Sequence, residues 1–146
     1  MRKKKEKKII GWREYLVLPE LGIKTIKAKV DTGARSSALH AYDLKIEKLG
    51  KKDIAKFKVH PHQNDTKKFK RCEAEIIEYR KVKSSNGQTE LRPVILSTVK
   101  LHGEAWVTEI TLTNRDQMGF RMLLGRASFR KKFLVDVSKS YLGNTL

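Results

Sequence analysis

The sequence predicts an all-β domain, closed into a barrel or a sandwich, with one short helix near its C-terminal end. Apolar residues recur mostly with a period of two, which is the spacing of a half-buried strand. Residues 84–87, Ser-Ser-Asn-Gly, form the strongest hairpin signal, because Asn-Gly adopts the positive backbone angles that a tight primed turn requires. Residues 127–132 are the one stretch with a helical pattern. Many short strands with one short helix are typical of closed or sandwich-like β domains.

The individual strands follow from the same alternation, taken in chain order. Residues 12–18 form a first strand, and residues 23–30 alternate polar and apolar side chains directly into Asp31, which places this acid at a strand end. The return strand of the hairpin begins near Thr89 and contains Pro93. Because proline lacks an amide hydrogen, we expect an edge position or an exit from the sheet there. Further strands are predicted at residues 37–46, 57–60, 72–83, 105–113, 121–125 and 133–137.

Length and composition indicate one soluble globular domain. The 146 residues suffice for one hydrophobic core and are too few for two domains of ordinary size, so we expect a basic tail at residues 1–10 and a single domain at residues 11–146. Hydrophobic residues at 39% and charged residues at 34% exclude a disordered chain. No stretch is apolar enough to cross a bilayer. The lone Cys72 excludes an intramolecular disulfide and favours a reducing compartment, so we expect a cytoplasmic protein.

The formal net charge of +17 is the dominant compositional feature. A field of this sign concentrates polyanions near the surface, so nucleic acid, ribosomes and acidic peptides are all candidate partners. The positive charge is concentrated in residues 2–8 and 45–71. A solvated, frayed tail is sufficient to explain the first of these segments.

The most specific chemical signal is the run Asp31-Thr32-Gly33-Ala34. In an aspartate-based hydrolase, Asp31 would activate water, Thr32 would brace the loop through its hydroxyl group, and Gly33 would let the backbone approach a second carboxylate. Such chemistry requires two carboxyl groups that share one proton, because like charges about 3 Å apart do not both ionise. Asp, Thr and Gly are also common in turns, so the triplet taken alone fits a structural turn acid.

The surrounding landmarks resemble those of retropepsins. The chain contains one Asp-Thr-Gly triplet, so a pair of carboxyl groups requires a second copy related by symmetry. Residues 123–126, Leu-Leu-Gly-Arg, match the second retropepsin landmark, in which two apolar residues and a glycine open a short helix. The resemblance implies an acid-protease closed β-barrel, a homodimer, and a flap at residues 79–92 that closes over substrate.

A closer resemblance covers nearly the whole chain. It is carried by residues 80–87, Glu90, residues 92–95, residues 112–116 and residues 122–126. These segments resemble the bacterial and archaeal family labelled "ATP-dependent zinc protease", which is similar to single-domain retropepsins and is in part encoded beside RimK-type glutamate ligases. The resemblance implies an aspartic endopeptidase that acts on acidic or glutamate-tailed proteins, such as a ribosomal protein, with a link to a RimK-type ligase and the ribosome.

The resemblance also implies which residues contact substrate. Ala34 and Arg35 follow the Asp-Thr-Gly triplet, and Arg35 stands where viral retropepsins often carry an acid that binds substrate backbone. A cation there suits carboxylate side chains. Together with Arg80, Lys83 and Arg126 near the same landmarks, it predicts charged contacts with a glutamate-rich peptide.

Two features leave alternatives open. Arg126 either contacts substrate, braces the dimer, or pairs with Asp116 or Asp136. The flap differs from a viral flap because Gly87 is its one glycine. A stiffer flap is consistent with a slow or regulated enzyme.

The zinc and ATP of the family label have no support in the residues. His60 and His62 form the closest histidine pair, and a strand-borne His-x-His can bind metal. However, no His-Glu-x-x-His motif is present, and solvated loop histidines are the commoner outcome. The chain also lacks a glycine-rich phosphate loop. We therefore predict no metal ligands and no cofactor.

A second function is compatible with the same composition. The chain would then be a non-catalytic basic β-module that binds RNA, the ribosome or another polyanion, and Asp31 would be structural only. Trp12, Trp106, Phe57 and Phe69 would supply base-stacking surfaces, although burial in the core is the commoner use of both tryptophans. Both functions predict binding that weakens with salt, so salt dependence does not separate them.

Overall fold

The computed structural model describes residues 6–62, 67–83, 87–114 and 119–143, and it confirms the all-β class. Within these ranges a short 3-10 turn at Pro19–Leu21 and one helix accompany the strands. The elements are β1 (Lys8–Gly11), β2 (Arg13–Leu18), β3 (Ile23–Asp31), β4 (Ser37–His40), β5 (Tyr42–Leu49), β6 (Lys52–Val59), β7 (Lys70–Lys83), β8 (Thr89–Leu101), β9 (Glu104–Thr113), β10 (Met122–Gly125), α1 (Arg126–Phe129) and β11 (Phe133–Asp136).

Six of the strands close into a barrel. The main sheet has the strand order β2-β3-β10-β4-β9-β8-β7-β6-β5, and a pairing of β2 with β8 through Val17 and Lys100 joins the first six strands into a ring. Strands β7, β6 and β5 continue the sheet beyond this closure. Strands β1 and β11 form a separate parallel pair. The closed barrel with one short helix is the architecture that the sequence predicted.

Strand β10 determines where the candidate catalytic loop lies. It runs parallel to β3, with Leu124 opposite Val30 and Gly125 opposite Asp31, and antiparallel to β4. Strand β4 in turn runs parallel to β9. Asp31 therefore ends β3 immediately beside the start of α1, although the two segments are far apart in the sequence.

The interior of the barrel is filled by the apolar side chains of the alternating strands. Along β3, Ile23, Ile26, Ala28 and Val30 are buried, whereas the lysines between them are half-buried or exposed. Each fully buried aliphatic side chain of this kind contributes about 1.5–3 kcal/mol of hydrophobic stabilisation. Side chains with no more than 1% exposure include Leu16, Leu18, Leu39, Val99, Ile95, Ile110, Leu112, Met122 and Leu124.

Some predicted boundaries differ from the structure. Residues 8–10, assigned to a tail, lie in β1, and Ile10 is fully buried. The strand predicted at residues 37–46 is divided into β4 and β5 at Ala41, whose amide bonds to the Thr113 carbonyl, and Asp43 within β5 adopts a φ of 51°. Pro93 stays within β8, but β9 pairs with β8 only from Val94 onward. The strand is therefore an edge at the proline, as expected.

The helix is shorter than the predicted stretch of residues 127–132. It covers Arg126–Phe129, after which the Lys132 amide bonds to the Phe129 carbonyl and β11 begins. Four residues make one turn, and they form a corner between two strands. No helix in the described ranges has the length and apolar character needed to cross a membrane.

A buried carboxylate joins the two ends of the described chain. Glu14 on β2 is fully buried, and its carboxylate accepts backbone N–H groups from Gly11 at 2.6 Å and from Leu142 and Gly143 at 2.9 Å. A buried charge is tolerated when several donors satisfy it. The contact holds the segment after β11 against the first two strands.

Glu14→Gln is therefore expected to lower the free energy of unfolding by about 2–3 kcal/mol, because the amide that replaces one oxygen faces N–H donors and leaves a buried polar group unsatisfied. Urea unfolding followed by tryptophan fluorescence measures this loss. Glu73→Gln on β7, where the side chain is exposed, serves as the matched control and is expected to change stability by less than about 0.5 kcal/mol. Equal effects of the two substitutions would contradict the proposed role of Glu14.

Candidate active site

Asp31 is held in a tight loop at the end of β3. Its Oδ1 atom accepts the backbone N–H groups of Gly33 at 2.9 Å and Ala34 at 3.1 Å. The carboxyl group is half-buried, while Thr32 and Gly33 are exposed at the tip of the loop. Two donors on one oxygen orient the carboxylate and leave the second oxygen for other contacts. The loop therefore presents a fixed acid at the protein surface.

The start of α1 clasps this loop from the other side. The amides of Arg126 and Ala127 donate to the carbonyls of Ala34 and Arg35 at 2.8 and 3.1 Å. The Arg126 guanidinium also donates to the Gly33 carbonyl at 3.0 Å. Arg126 thus braces the loop of its own chain, an arrangement that the sequence interpretation did not include.

Gly125 permits the close approach of β10 to the segment that follows the loop. A Cβ atom at position 125 would lie 2.5 Å from the backbone carbon and oxygen of Ser36 and 2.6 Å from the carbonyl oxygen of Arg35. The Gly125 amide donates to the buried Ser37 hydroxyl at 3.0 Å, and Thr111 donates its hydroxyl to the Ser37 carbonyl at 3.1 Å. The sequence marked Gly125, whereas Ser37 was assigned only to a strand and Thr111 on β9 carried no recognisable signal.

Arg35 and Arg80, both predicted to contact substrate, line one cavity of about 600 Å³, which we call the Arg35–Arg80 pocket. The pocket begins four residues after Asp31 and extends across the outer face of β8 and β9. Its other walls include Ser36, Leu96, Val107, Glu109 and Ser128. The structure thus brings together two predicted cations that are 45 positions apart in the sequence.

Two acids that the sequence interpretation missed hold Arg80. Its Nη2 atom donates to Glu78 Oε1 at 2.6 Å and to Glu109 Oε2 at 2.7 Å. The hydrogen bond to Glu109, supported by Glu78, raises the pKa of the Arg80 guanidinium above its ordinary value. Lys83 is exposed at the end of β7 and is not among the residues that line the pocket. Flap residues 84–86, like Asp116, lie outside the described ranges.

The histidine pair and the cysteine occupy separate environments. His60 stacks on Tyr42 with a centroid distance of 4.4 Å, and its Nδ1 atom lies 3.1 Å from the Lys68 carbonyl oxygen. His62 is exposed. Burial raises the pKa of the Cys72 thiol to about 11. Among the described residues, no group of three or more His, Cys, Asp or Glu side chains is arranged to hold a metal ion.

The aromatic residues considered for base stacking are mostly engaged in packing. Phe57 is buried, and both tryptophans are half-buried against other aromatic rings. Phe69 is 46% exposed, with Lys58 Nζ 5.0 Å and Arg71 Cζ 5.8 Å from its ring centroid. Of the four, only Phe69 offers a largely open ring.

Comparison with known proteins identifies the family and the fold. The family described as "Retropepsin-like aspartic endopeptidase RimB" matches residues 9–145. A structure of a Legionella pneumophila protein of unknown function, from the DUF785 group, superposes with a TM-score of 0.77 at 28% sequence identity, covering 95% of this chain and 100% of that one.

Curated relatives are longer proteins. Proteins named "Probable alpha-L-glutamate ligase" are 48% identical in Shewanella pealeana and 44% identical in Parasynechococcus marenigrum, each over 133 residues that cover 91% of this chain. The relative of the same name in Desulfotalea psychrophila is 42% identical over 146 residues that cover 94% of this chain. The chain spans 28–32% of the length of these relatives. With a family match over almost its entire length, the chain belongs to the RimB-like family of retropepsin-like aspartic endopeptidases.

Proposed function

We propose that this protein is one subunit of a homodimeric aspartic peptidase, in which Asp31 of each copy contributes one of two catalytic carboxyl groups. The observation that carries the proposal is the Asp31 loop, in which two backbone amides hold Oδ1 while Thr32 and Gly33 are exposed around it. A single carboxylate cannot act as both acid and base, so the site is complete only when a second copy faces it.

In the proposed mechanism the two Asp31 carboxyl groups share one proton and bind one water molecule between them. The ionised carboxylate takes a proton from the water as it attacks the peptide carbonyl, and the protonated carboxyl group donates its proton to the carbonyl oxygen. The resulting diol then collapses: the newly protonated carboxyl group protonates the amide nitrogen, the other carboxylate takes a proton from a diol hydroxyl, and the C–N bond breaks to release the amine and the carboxylic acid. The amides of Gly33 and Ala34 keep each carboxyl group in position through this exchange. The brace from Arg126 to Gly33 supports the loop from behind.

We further propose that the substrate is an acidic, glutamate-rich segment bound as an extended strand beneath the flap of residues 79–92. The net charge of +17 attracts such a segment, and Arg35 and Arg80 lie together beside the Asp31 loop. Ala34, Lys83 and Arg126 are proposed as further contacts. The relatives named as glutamate ligases carry a similar region within a longer chain, which supports a role on glutamate-tailed proteins. We also propose that the protein acts in the cytoplasm, beside a RimK-type ligase and the ribosome.

A heterodimer that contains one wild-type chain and one Asp31→Asn chain tests the shared site. Each chain carries a different affinity tag, and tandem purification isolates the mixed dimer. We expect its hydrolysis of a glutamate-tailed peptide to fall below about 1% of that of the doubly tagged wild-type dimer, because one asparagine removes the shared proton from the whole site.

The outcomes separate the alternatives clearly. Half of the wild-type activity in the mixed dimer would mean that each subunit acts alone. If tandem purification fails both for the mixed pair and for the control pair of wild-type chains, no dimer forms. Either result would contradict the proposed active site.

A further inference from the structure

The Arg35–Arg80 pocket contains an acid among its cations. Glu109 lies on β9 directly opposite Leu96 on β8, and its Oε2 atom is 2.7 Å from Arg80 Nη2. Its side chain is 47% exposed, so the carboxylate lies within the pocket opening. Glu109 therefore occupies one of the places at Arg80 where a carboxylate of a bound ligand would be received.

We propose that this pocket is a subsite for a glutamate side chain of the substrate, and that Glu109 is a specificity residue which holds Arg80 until the substrate carboxylate replaces it. The proposal rests on the proposed function, because it concerns the substrate of that same site. It assigns a role to Glu109, and it predicts that loss of the Glu109 charge tightens peptide binding. The peptidase assignment alone does not require that result.

The shape of the pocket suits glutamate in both of its parts. Leu96 is 49% exposed and Val107 is 62% exposed, and both line the pocket beside Glu109. Such open apolar side chains offer a surface for the two methylene groups of a glutamate. Arg35 is exposed and lines the same pocket, so it supplies a second cation for the ligand carboxylate. The pocket therefore provides an apolar surface with two cations around it.

The exchange of one carboxylate for another costs little free energy. The Arg80–Glu109 pair is partly exposed, and pairs of this kind contribute little to stability because water solvates both partners well. Glu78 stays bonded to Arg80 at 2.6 Å and keeps the guanidinium in place after Glu109 moves away. Arginine has five N–H donors, so Arg80 can hold Glu78 and receive a ligand carboxylate together.

Glu109 also raises the free energy that a ligand carboxylate requires to enter the pocket. Its negative charge repels an incoming carboxylate, and its bond to Arg80 must be broken first. Replacement by neutral glutamine keeps the size of the side chain, removes the repulsion and weakens the bond to Arg80, because the amide oxygen accepts that bond without a charge. Glu109→Gln is therefore expected to tighten the binding of a glutamate peptide, whereas Arg80→Ala is expected to weaken it.

The test measures binding of a fluorescein-labelled tetraglutamate peptide by fluorescence anisotropy, with all variants made in the Asp31→Asn dimer so that the peptide stays intact. We expect Glu109→Gln to tighten binding by about fivefold and Arg80→Ala to weaken it by about tenfold. A tetraglutamine peptide is expected to bind more weakly than tetraglutamate to the parent dimer. Circular dichroism confirms folding, and Glu109→Thr, which suits a strand, provides a second neutral variant.

A matched control separates a specific effect of Glu109 on peptide binding from the general effect of net charge. Glu47→Gln on β5 changes the net charge by the same amount, and Glu47 pairs with Lys56 outside this pocket. Equal tightening by Glu109→Gln and Glu47→Gln would show unspecific attraction and overturn the proposal. So would unchanged or weaker binding by both Glu109 variants, or unchanged binding by Arg80→Ala.

The inference and the proposed function fail in different ways. If wild-type protein does not hydrolyse the peptide but the Glu109 and Arg80 effects on binding appear, the pocket is a glutamate site and the peptidase assignment is wrong. If hydrolysis depends on Asp31 but Glu109→Gln leaves binding unchanged, the peptidase assignment stands and the glutamate subsite is wrong.

Discussion

Asp31→Asn in both subunits is expected to lower the rate of peptide hydrolysis by about 10³–10⁴-fold while the fold is retained. The asparagine Oδ1 atom can still accept the Gly33 and Ala34 amides, which lie 2.9 and 3.1 Å from the Asp31 oxygen. Neither subunit then carries an ionisable group at the centre, so both the acid and the base are lost. Hydrolysis of a glutamate-tailed peptide, followed by mass spectrometry, measures the rate, and thermal unfolding confirms the fold.

Asp43→Asn provides the matched control for this substitution. It makes the same change of charge on β5, at an exposed position where a φ of 51° suits asparagine. Its activity is expected to stay within about twofold of wild type, because surface changes away from a site have small effects.

Wild-type activity is expected to persist with a metal chelator, because no metal takes part in the proposed mechanism. It is expected to fall as pH rises, because the pair of carboxyl groups needs its shared proton. Persistent activity in Asp31→Asn, or loss of wild-type activity with a chelator, would contradict the aspartic mechanism.

Gly125→Ala is expected to destabilise the protein by more than about 3 kcal/mol and to displace the Asp31 loop. The backbone angles at Gly125, φ −82° and ψ 157°, are open to alanine, so the cause is space alone. The added methyl carbon would lie 2.5 Å from backbone atoms of Ser36, and backbone there cannot move without breaking the contacts of the loop. Urea unfolding measures the loss of stability, and the rate of peptide hydrolysis shows whether the Asp31 loop is displaced.

A second glycine gives the comparison. Gly50→Ala, in the turn between β5 and β6, places its methyl group in open space but at a φ of 66°. Its expected cost is about 1 kcal/mol, from backbone strain alone. A cost at Gly125 no larger than this would show that β10 can shift away from Ser36, and the close approach would then not be what holds the loop.

The features of the site that are encoded locally could be predicted from the sequence. The alternating pattern of residues 23–30 placed Asp31 at a strand end, and two apolar residues before Gly125 marked the second landmark, as β3 and β10 confirm. The Asn-Gly signal placed the return strand at Thr89, where β8 begins. Each of these depends on neighbours within a few positions, for which residue type is informative.

The features that depend on distant pairing could not be predicted. Glu109 and Thr111 reach the site only because β9 lies beside β4 and β8, and no local pattern distinguishes them from other strand residues. Glu14 looked like an ordinary polar position of an alternating strand, yet the segment around residues 142–143 folds over it. The long-range contacts of these side chains join residues between 29 and 129 positions apart, and a single sequence does not reveal such pairings.

The insertion of β10 between β3 and β4 also affects when, during synthesis of the chain, the Asp31 loop gains its supporting contacts. The Asp31 loop is synthesised before the atoms that hold it, from Gly125 to Ala127, and Arg126 follows Gly33 by 93 positions. Contacts between such distant segments form slowly, because a long loop must close before they stabilise anything. A nascent chain that ends before residue 122 therefore contains the acid without the contacts from β10 and α1 that brace its loop. The loop gains its full set of contacts only after β10 and α1 have been made.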